Sequence, residues 1–333
     1  MGNNPVLEST SLIVQNSRFV TIDTKVLNAV AKRFAKEELK IPSWEEPVFL
    51  EGLDESTIDF FILGNSINFA YTDFETKQKF SAEYLGKEWK GAFGMWACLK
   101  SAVETGVPLL DGEYLKDISE HELRKTFAGN FEIPLFEERM RLFREVGQVL
   151  HEKYDCHFHN LVAASNHRLF DGGNGLVERL TNDFPSFDDS AYFGTYTVRF
   201  LVRFNKRAQL AAGMLYGRFR NQGLFQIEDI DELTVFADYV LPKALRDLGI
   251  LVYEKSLAKD VDNQRLIEAG SDQELEIRAA TLHASKMLTD KINEYRSQRG
   301  ADKINALHMD YKLWSESRKP EGTQHHLTVT TAY

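Results

Sequence analysis

The chain has 333 residues, 43% hydrophobic and 27% charged, the balance of one large domain or two closely packed lobes. A net charge of −10 argues against a nucleic-acid polymer as partner, which needs a broad basic surface, whereas a nucleotide with one phosphate needs only a few local cations. Cys98 and Cys156 are the two cysteines; they are far apart and form no CxxC pair, which disfavours a disulfide framework or structural zinc and suits a reducing cytosol.

The first residues, Met1 to Pro5, carry no basic stretch followed by an apolar one, so no signal peptide is expected. No apolar run approaches the roughly 18 residues of a membrane span, and a cytoplasmic location is expected. Phe19 to Ile22 reads as a strand from its β-branched and aromatic character, and Phe74 to Ala82 as a short extended piece. Ser119 and Glu122 form a capping box that opens a short helix. From Leu135 to Tyr154, Phe136, Met140, Phe143, Val146 and Leu150 recur every three or four positions and predict a helix with one buried stripe.

Asn166 to Phe187, with Gly172, Gly173, Gly175 and Pro185, reads partly as an exposed loop. Asn205 to Arg220 is a predicted helix despite Gly213 and Gly217. Ile230 to Gly249 reads as helix, break at Pro242 and helix, with Gly249 as the stop. Ser271 and Glu274 form a second capping box, ahead of a helix that buries Ile277, Ala280, Ala284, Leu288 and Ile292. Leu327 to Thr331 has strand character. The expected fold is mainly α, formally α+β with a minor β component. A smaller mixed portion, residues 1–125, would pack tightly on a larger helical portion, residues 126–333, a single domain being the alternative.

Several residues break local rules. Lys206 and Arg207 sit at the start of a predicted helix, where the macrodipole favours anions; the ordinary reading is a solvated surface pair, the sharper one a site. Asp238 follows Leu233-Thr234-Val235-Phe236-Ala237 and is expected to be partly buried, as a cap, a salt bridge or a catalytic acid. Glu274, Glu276 and Arg278 share one helix; residues two apart face different ways, so at most one of the two glutamates can turn to a pocket. Asp310 lies among aromatics, either as a structural acceptor or as a site residue. Asn65 and Asn68 stand in an apolar stretch, and their amides either read a heterocycle or pin a turn. His157 and His159 have the i, i+2 spacing of metal ligands on a strand, but no supporting carboxylate or third His falls nearby in sequence, so no metal is expected. No HExxH, P-loop, GxSxG or GxGxxG motif occurs.

Six segments in order resemble the queuosine 5′-phosphate N-glycosylase/hydrolase family, the queuosine salvage proteins. They are Gly129 to Arg139 with Glu145-Val146-Gly147, Phe184-Pro185-Ser186-Phe187, Asn205-Lys206-Arg207-Ala208-Gln209-Leu210, Leu233 to Tyr239 with Pro242, Glu274 to Arg278, and Asp310-Tyr311 with Leu313-Trp314. The family is distantly similar to helix-hairpin-helix DNA glycosylases, which implies a helical, glycosylase-like core. There a lysine on one helix and an aspartate just ahead of a second act together; Lys206 and Asp238 hold the matching places.

The resemblance implies hydrolysis of queuosine 5′-monophosphate, or a related 7-deazaguanine nucleotide, to free base and ribose 5-phosphate, with no cofactor. Asp238 and Lys206 would be catalytic. Asn65, Asn68, Glu276 and Asp310 would contact the base or its amine-bearing arm, Phe69, Tyr71 and Tyr239 would stack on the ring, and Arg139 and Arg207 would meet the phosphate. The expected partner is a small modified nucleotide bound by a monomer, without nucleic-acid polymer or membrane. The chain departs from the family pattern at Asn65, Ala70-Tyr71, Gly213, Val240 and His283, where Asp, Phe-Trp, Asp, Arg and Trp are expected. A nucleotide-binding protein that has lost activity is therefore the alternative reading, and a DNA glycosylase a more distant one.

Overall fold

A computed structural model describes residues 4–195, 197–318 and 322–333. Among them are fourteen α-helices and six short strands, so the mainly α reading holds. The strands form three separate antiparallel pairs: Val20–Ile22 with Leu251–Tyr253, Ser81–Tyr84 with Lys87–Lys90, and Ser190–Gly194 with Arg199–Arg203.

The chain divides into two compact units, but not near residue 125. One comprises the described residues of Met1–Pro42, Asp189–Gln209 and Asp231–Val329; the other comprises those of Ser43–Asp188, Leu210–Ile230 and Thr330–Tyr333. The N-terminal helices Pro5–Gln15 and Thr24–Phe34 pack on the helix Asp272–Ser297, which carries the beginning of the chain into the unit that holds most of its end. Local pattern cannot reveal such a pairing, because its apolar partners lie more than 200 residues away.

In the first unit Asp272–Ser297 is the central element. The Ser271 side chain accepts the Glu274 N–H, while the Glu274 carboxylate accepts the N–H of Gly270, one residue earlier than a standard capping box. Ile277, Ala280, Ala284, Leu288 and Ile292 are all buried, in one core with Val6, Leu27, Val30, Phe34, Leu245 and Met309. Burial of each large apolar side chain stabilises by roughly 1.5–3 kcal/mol. Glu274, Glu276 and Arg278 are buried as well, because neighbours surround this end of the helix on both faces. None of them is a solvated surface charge.

In the second unit Phe49, Phe60, Phe61 and Trp96 form an aromatic core, with ring centroids 5.3–6.0 Å apart. Gly64 is needed there: a Cβ at that position would lie 2.0 Å from the Trp96 ring. The helix Phe136–Lys153 buries its predicted stripe, and Ser119 with Glu122 makes the predicted capping box ahead of Glu120–Thr126.

Other predicted elements change. Residues 233–239 are irregular, and Pro242 lies in the first turn of the helix Val240–Asp247, where its missing N–H costs nothing; Gly249 (φ +75°) does end that region. Leu327–Thr331 makes one bridge, Leu266 to Leu327, and no strand. The supposed loop 166–187 contains the helix Leu176–Asp183 and a 3-10 turn at Pro185–Phe187. Phe74–Ala82 is mostly turn, with a bridge from Thr72 to Lys79 and strand only from Ser81.

Candidate functional site

Within the first unit, Lys206 opens the helix Lys206–Phe219 and is buried, 5% exposed. Its backbone N–H donates to Asp189 Oδ2 at 3.0 Å. Asp189 also receives a two-pronged bond from Arg278, at 2.8 and 2.7 Å, in a pair nearly closed to solvent. The Arg278 Nε donates to the Ala237 carbonyl at 3.1 Å, and its guanidinium lies 4.0 Å over the Phe204 ring. One buried ion pair thus ties the start of the Lys206 helix to the residue just before Asp238.

The irregular stretch before Asp238 has few backbone partners of its own, so side chains supply them. Gln209 Oε1 accepts the Thr234 N–H at 3.0 Å, and its amide donates to Thr234 Oγ1 at 2.9 Å. Asp310, on the helix Ala306–Ser317, accepts the Phe236 N–H at 2.8 Å. Asp238 Oδ1 accepts the N–H groups of Val240 (2.7 Å) and Leu241 (3.2 Å), capping the helix Val240–Asp247 and leaving its other oxygen for a different task.

Three acidic side chains, Asp238, Asp310 and Asp189, act electrostatically on Lys206. Burial lowers its pKa, and Asp238, Asp310 and Asp189 counter that shift while Arg207 adds to it. The two adjacent cations that looked misplaced at a helix start are compensated by acids arriving from elsewhere in the chain. Asp310 is pushed up to about 8, first by burial and then by the Asp238 charge, against the Phe236 N–H and Lys206. Lys206, Asp238 and Asp310 so combine a cation, a capping carboxylate and a carboxyl that holds its proton at neutral pH.

The other predicted residues divide between the units. Tyr239 follows Asp238, its ring 4.7 Å from that of His325. Arg207 is buried beside Lys206. Glu276 Oε2 accepts from Ser17 Oγ and from the N–H groups of Arg18, Phe19 and Val20, at 2.6–3.2 Å, holding the entry to the first strand, while its Oε1 is buried with no hydrogen-bond partner among the described residues. In the second unit Asn68 donates to Asn65 Oδ1 at 3.1 Å and accepts from the Tyr71 hydroxyl at 2.8 Å. Arg139, fully buried there, donates to the carbonyls of Pro134, Ile67, Phe69 and Ala70, and its guanidinium lies 4.4 Å over the Phe69 ring. Arg139 thus staples residues 67–70. His283 bonds Thr10 Oγ1 at 3.1 Å, between the helices Pro5–Gln15 and Asp272–Ser297.

Sequence reasoning missed Asp189 and the pair His325-His326, and noted Arg278 only within its helix and motif. Asp189 closes the Phe184-Pro185-Ser186-Phe187 region, and the hairpin Ser190–Arg203 carries the chain from it back to Lys206, so only the fold brings the two together. His326 is buried, and burial together with His325 and Arg278 takes it down to about 3, so it is neutral beside Arg278.

A mainly helical protein with a lysine buried among carboxylates, at the junction of a helix start and an aspartate-capped helix, is the class this site defines. The chain belongs to the queuosine salvage protein family, whose model matches residues 49–333. It is 35% identical over 331 residues to the queuosine 5′-phosphate N-glycosylase/hydrolase of Sphaerobacter thermophilus, covering 98% of this chain and 97% of the relative. The proteins of the same description from Mus musculus and Schizosaccharomyces pombe are each 28% identical, over 94% of this chain and 92% and 91% of theirs. No helix among the described residues is long and apolar enough to cross a membrane.

Proposed function

We propose that this chain hydrolyses the N-glycosidic bond of queuosine 5′-phosphate, or of a close 7-deazaguanine nucleotide, releasing the base and ribose 5-phosphate. The observation that carries the reading is the joint placement of Lys206, Asp238 and Asp310, in a chain similar end to end to relatives so described. When the bond between the anomeric carbon and the base nitrogen breaks, its electrons leave with the base and positive charge builds on the sugar. The Asp238 carboxylate stabilises that charge and takes a proton from the attacking water, whose oxygen bonds to the anomeric carbon. Asp310, protonated at neutral pH, delivers a proton to the departing base, so the products are neutral base and free sugar phosphate. Lys206 balances the two acids and holds a sugar hydroxyl or the phosphate, with Arg207 as a second phosphate contact. Tyr239 stacks on the base.

Asn65, Asn68, Phe69 and Tyr71 are proposed base contacts on the family resemblance. Glu276 is a proposed contact through Oε1, which has no hydrogen-bond partner among the described residues, and Arg139 is proposed from the family resemblance, its guanidinium being bonded to backbone carbonyls. Both cysteines are free, as a reducing cytoplasm favours.

Incubation of the purified protein with queuosine 5′-monophosphate, queuosine and guanosine monophosphate, followed by chromatography of free base, tests the activity. Release from the first substrate is expected; tight binding with no base released from any of them would mark an inactive nucleotide-binding protein instead. The proton on Asp310 gives a second test. A carboxyl raised to about 8 is protonated below that pH and loses its proton above it, so kcat/KM should fall as pH rises through about 8. In Asp310→Asn that falling limb should vanish and the rate at pH 7 should drop by about 10²-fold or more, the range for losing a general acid. A variant with the wild-type profile removes Asp310 from proton transfer.

A further inference from the structure

The second unit contains a cluster that the reaction does not use. Asp59, on the helix Glu55–Ser66, is 3% exposed. Its Oδ1 accepts the His159 N–H at 2.7 Å, and its Oδ2 lies 2.9 Å from His159 Nδ1 and 3.5 Å from His157 Nδ1. The two imidazoles stack at 4.9 Å with 20° between their planes, and one ligand atom from each of the three residues lies within 4.8 Å of the others. The histidines had looked partnerless because their carboxylate is 100 residues away in sequence. Nor do they stand on a strand: His157 directly precedes the helix Phe158–Ala163 and His159 lies in its first turn.

We propose that Asp59, His157 and His159 bind a single zinc ion. Two nitrogens and one oxygen are a donor set that suits this borderline cation, and zinc bonds of about 2.0–2.1 Å set tetrahedral ligands about 3.3 Å apart. The separations of 2.9 and 3.5 Å bracket that spacing. Two imidazole Nδ1 atoms converge on one carboxylate oxygen, and His157 Nδ1 also lies 3.0 Å from the Leu110 carbonyl, so its single proton cannot serve both acceptors at once; a cation bound through the lone pairs satisfies the two nitrogens together. A histidine that ligates through Nδ1 is commonly oriented by an acceptor at its other nitrogen, and Glu55 Oε2 lies 3.8 Å from His159 Nε2. The His157 side chain is 36% exposed, which gives an ion a route in. Bound there, the ion clasps the Asp59 helix to the segment 157–159 and stabilises this unit.

The test uses the full chain stripped with chelator, titrated with zinc chloride by calorimetry and with cobalt(II) by visible absorption, with thermal melts in parallel. One zinc per chain, tetrahedral cobalt absorption and a zinc-dependent rise in melting temperature are expected. His157→Ala, at a half-exposed position, should lose at least about tenfold in affinity and the thermal response, given that even groups behind metal ligands are worth about 10- to 100-fold. His159→Ala should do the same. The proposal is overturned by the absence of saturable binding, or by binding that both histidine variants retain. It is equally overturned by binding that is lost instead in Cys156→Ser, which would put the ion at Glu113, His151 and Cys156, whose ligand atoms also converge.

Discussion

Asp238→Asn should keep its fold and lose at least about 100-fold in turnover, the scale on which removing electrostatic or acid-base help acts. Geometry explains why the two effects separate. Asp238 Oδ1 caps its helix by accepting the N–H groups of Val240 and Leu241, and an asparagine oxygen accepts both equally well. The charge facing the developing positive sugar disappears, and an amide cannot accept a proton from water. Asparagine also leaves the Lys206 ammonium with one acid fewer, which weakens its ionised form in a buried setting. Circular dichroism and a thermal melt should match the wild type while steady-state base release collapses. Wild-type turnover in this variant would remove Asp238 from the chemistry, whatever the substrate.

The second large effect is expected at Arg278. Its ion pair with Asp189 is almost wholly buried, and removing one partner of such a pair costs about 3–5 kcal/mol because the other charge stays behind without its counterion. Arg278→Ala also cuts the bond to the Ala237 carbonyl and the packing on Phe204. It should lower the denaturant midpoint and release both the start of the Lys206 helix and the approach to Asp238, so activity falls faster than the folded fraction. Arg278→Lys keeps the charge but loses the planar two-pronged geometry and the simultaneous bond to Ala237, and should rescue stability only in part. An unchanged midpoint in Arg278→Ala would show that the pair does not hold this region together.

Residues chosen for polarity in apolar surroundings show where reading by sequence meets its limit. Asn65 and Asn68 had to find partners, and the rule that buried polar groups are hydrogen-bonded is sound. It does not say whether the partner is a ligand or the protein. In the fold, Asn68 bridges Asn65 and Tyr71, and Arg139 gathers the carbonyls of Ile67, Phe69 and Ala70. Glu276 was legible as an acid facing away from Glu274 and Arg278, but not as the acceptor for residues 17–20, more than 250 positions earlier.

By itself the sequence determined the mainly helical class, the buried stripe of Phe136–Lys153, the capped helix starts at Ser119 and Ser271, and the family motifs that include Lys206 and Asp238. These features depend on neighbours within about four residues, where helix geometry alone decides which side chains meet. Tertiary structure decided that the N-terminal helices join the C-terminal unit, that Arg278 pairs with Asp189 beside the start of the Lys206 helix, that burial and the Asp238 charge push Asp310 up, and that Asp59 meets two histidines. Each of these is an encounter between charged or polar groups far apart in the chain, and its energy depends on the burial and the partners that only the assembled core creates.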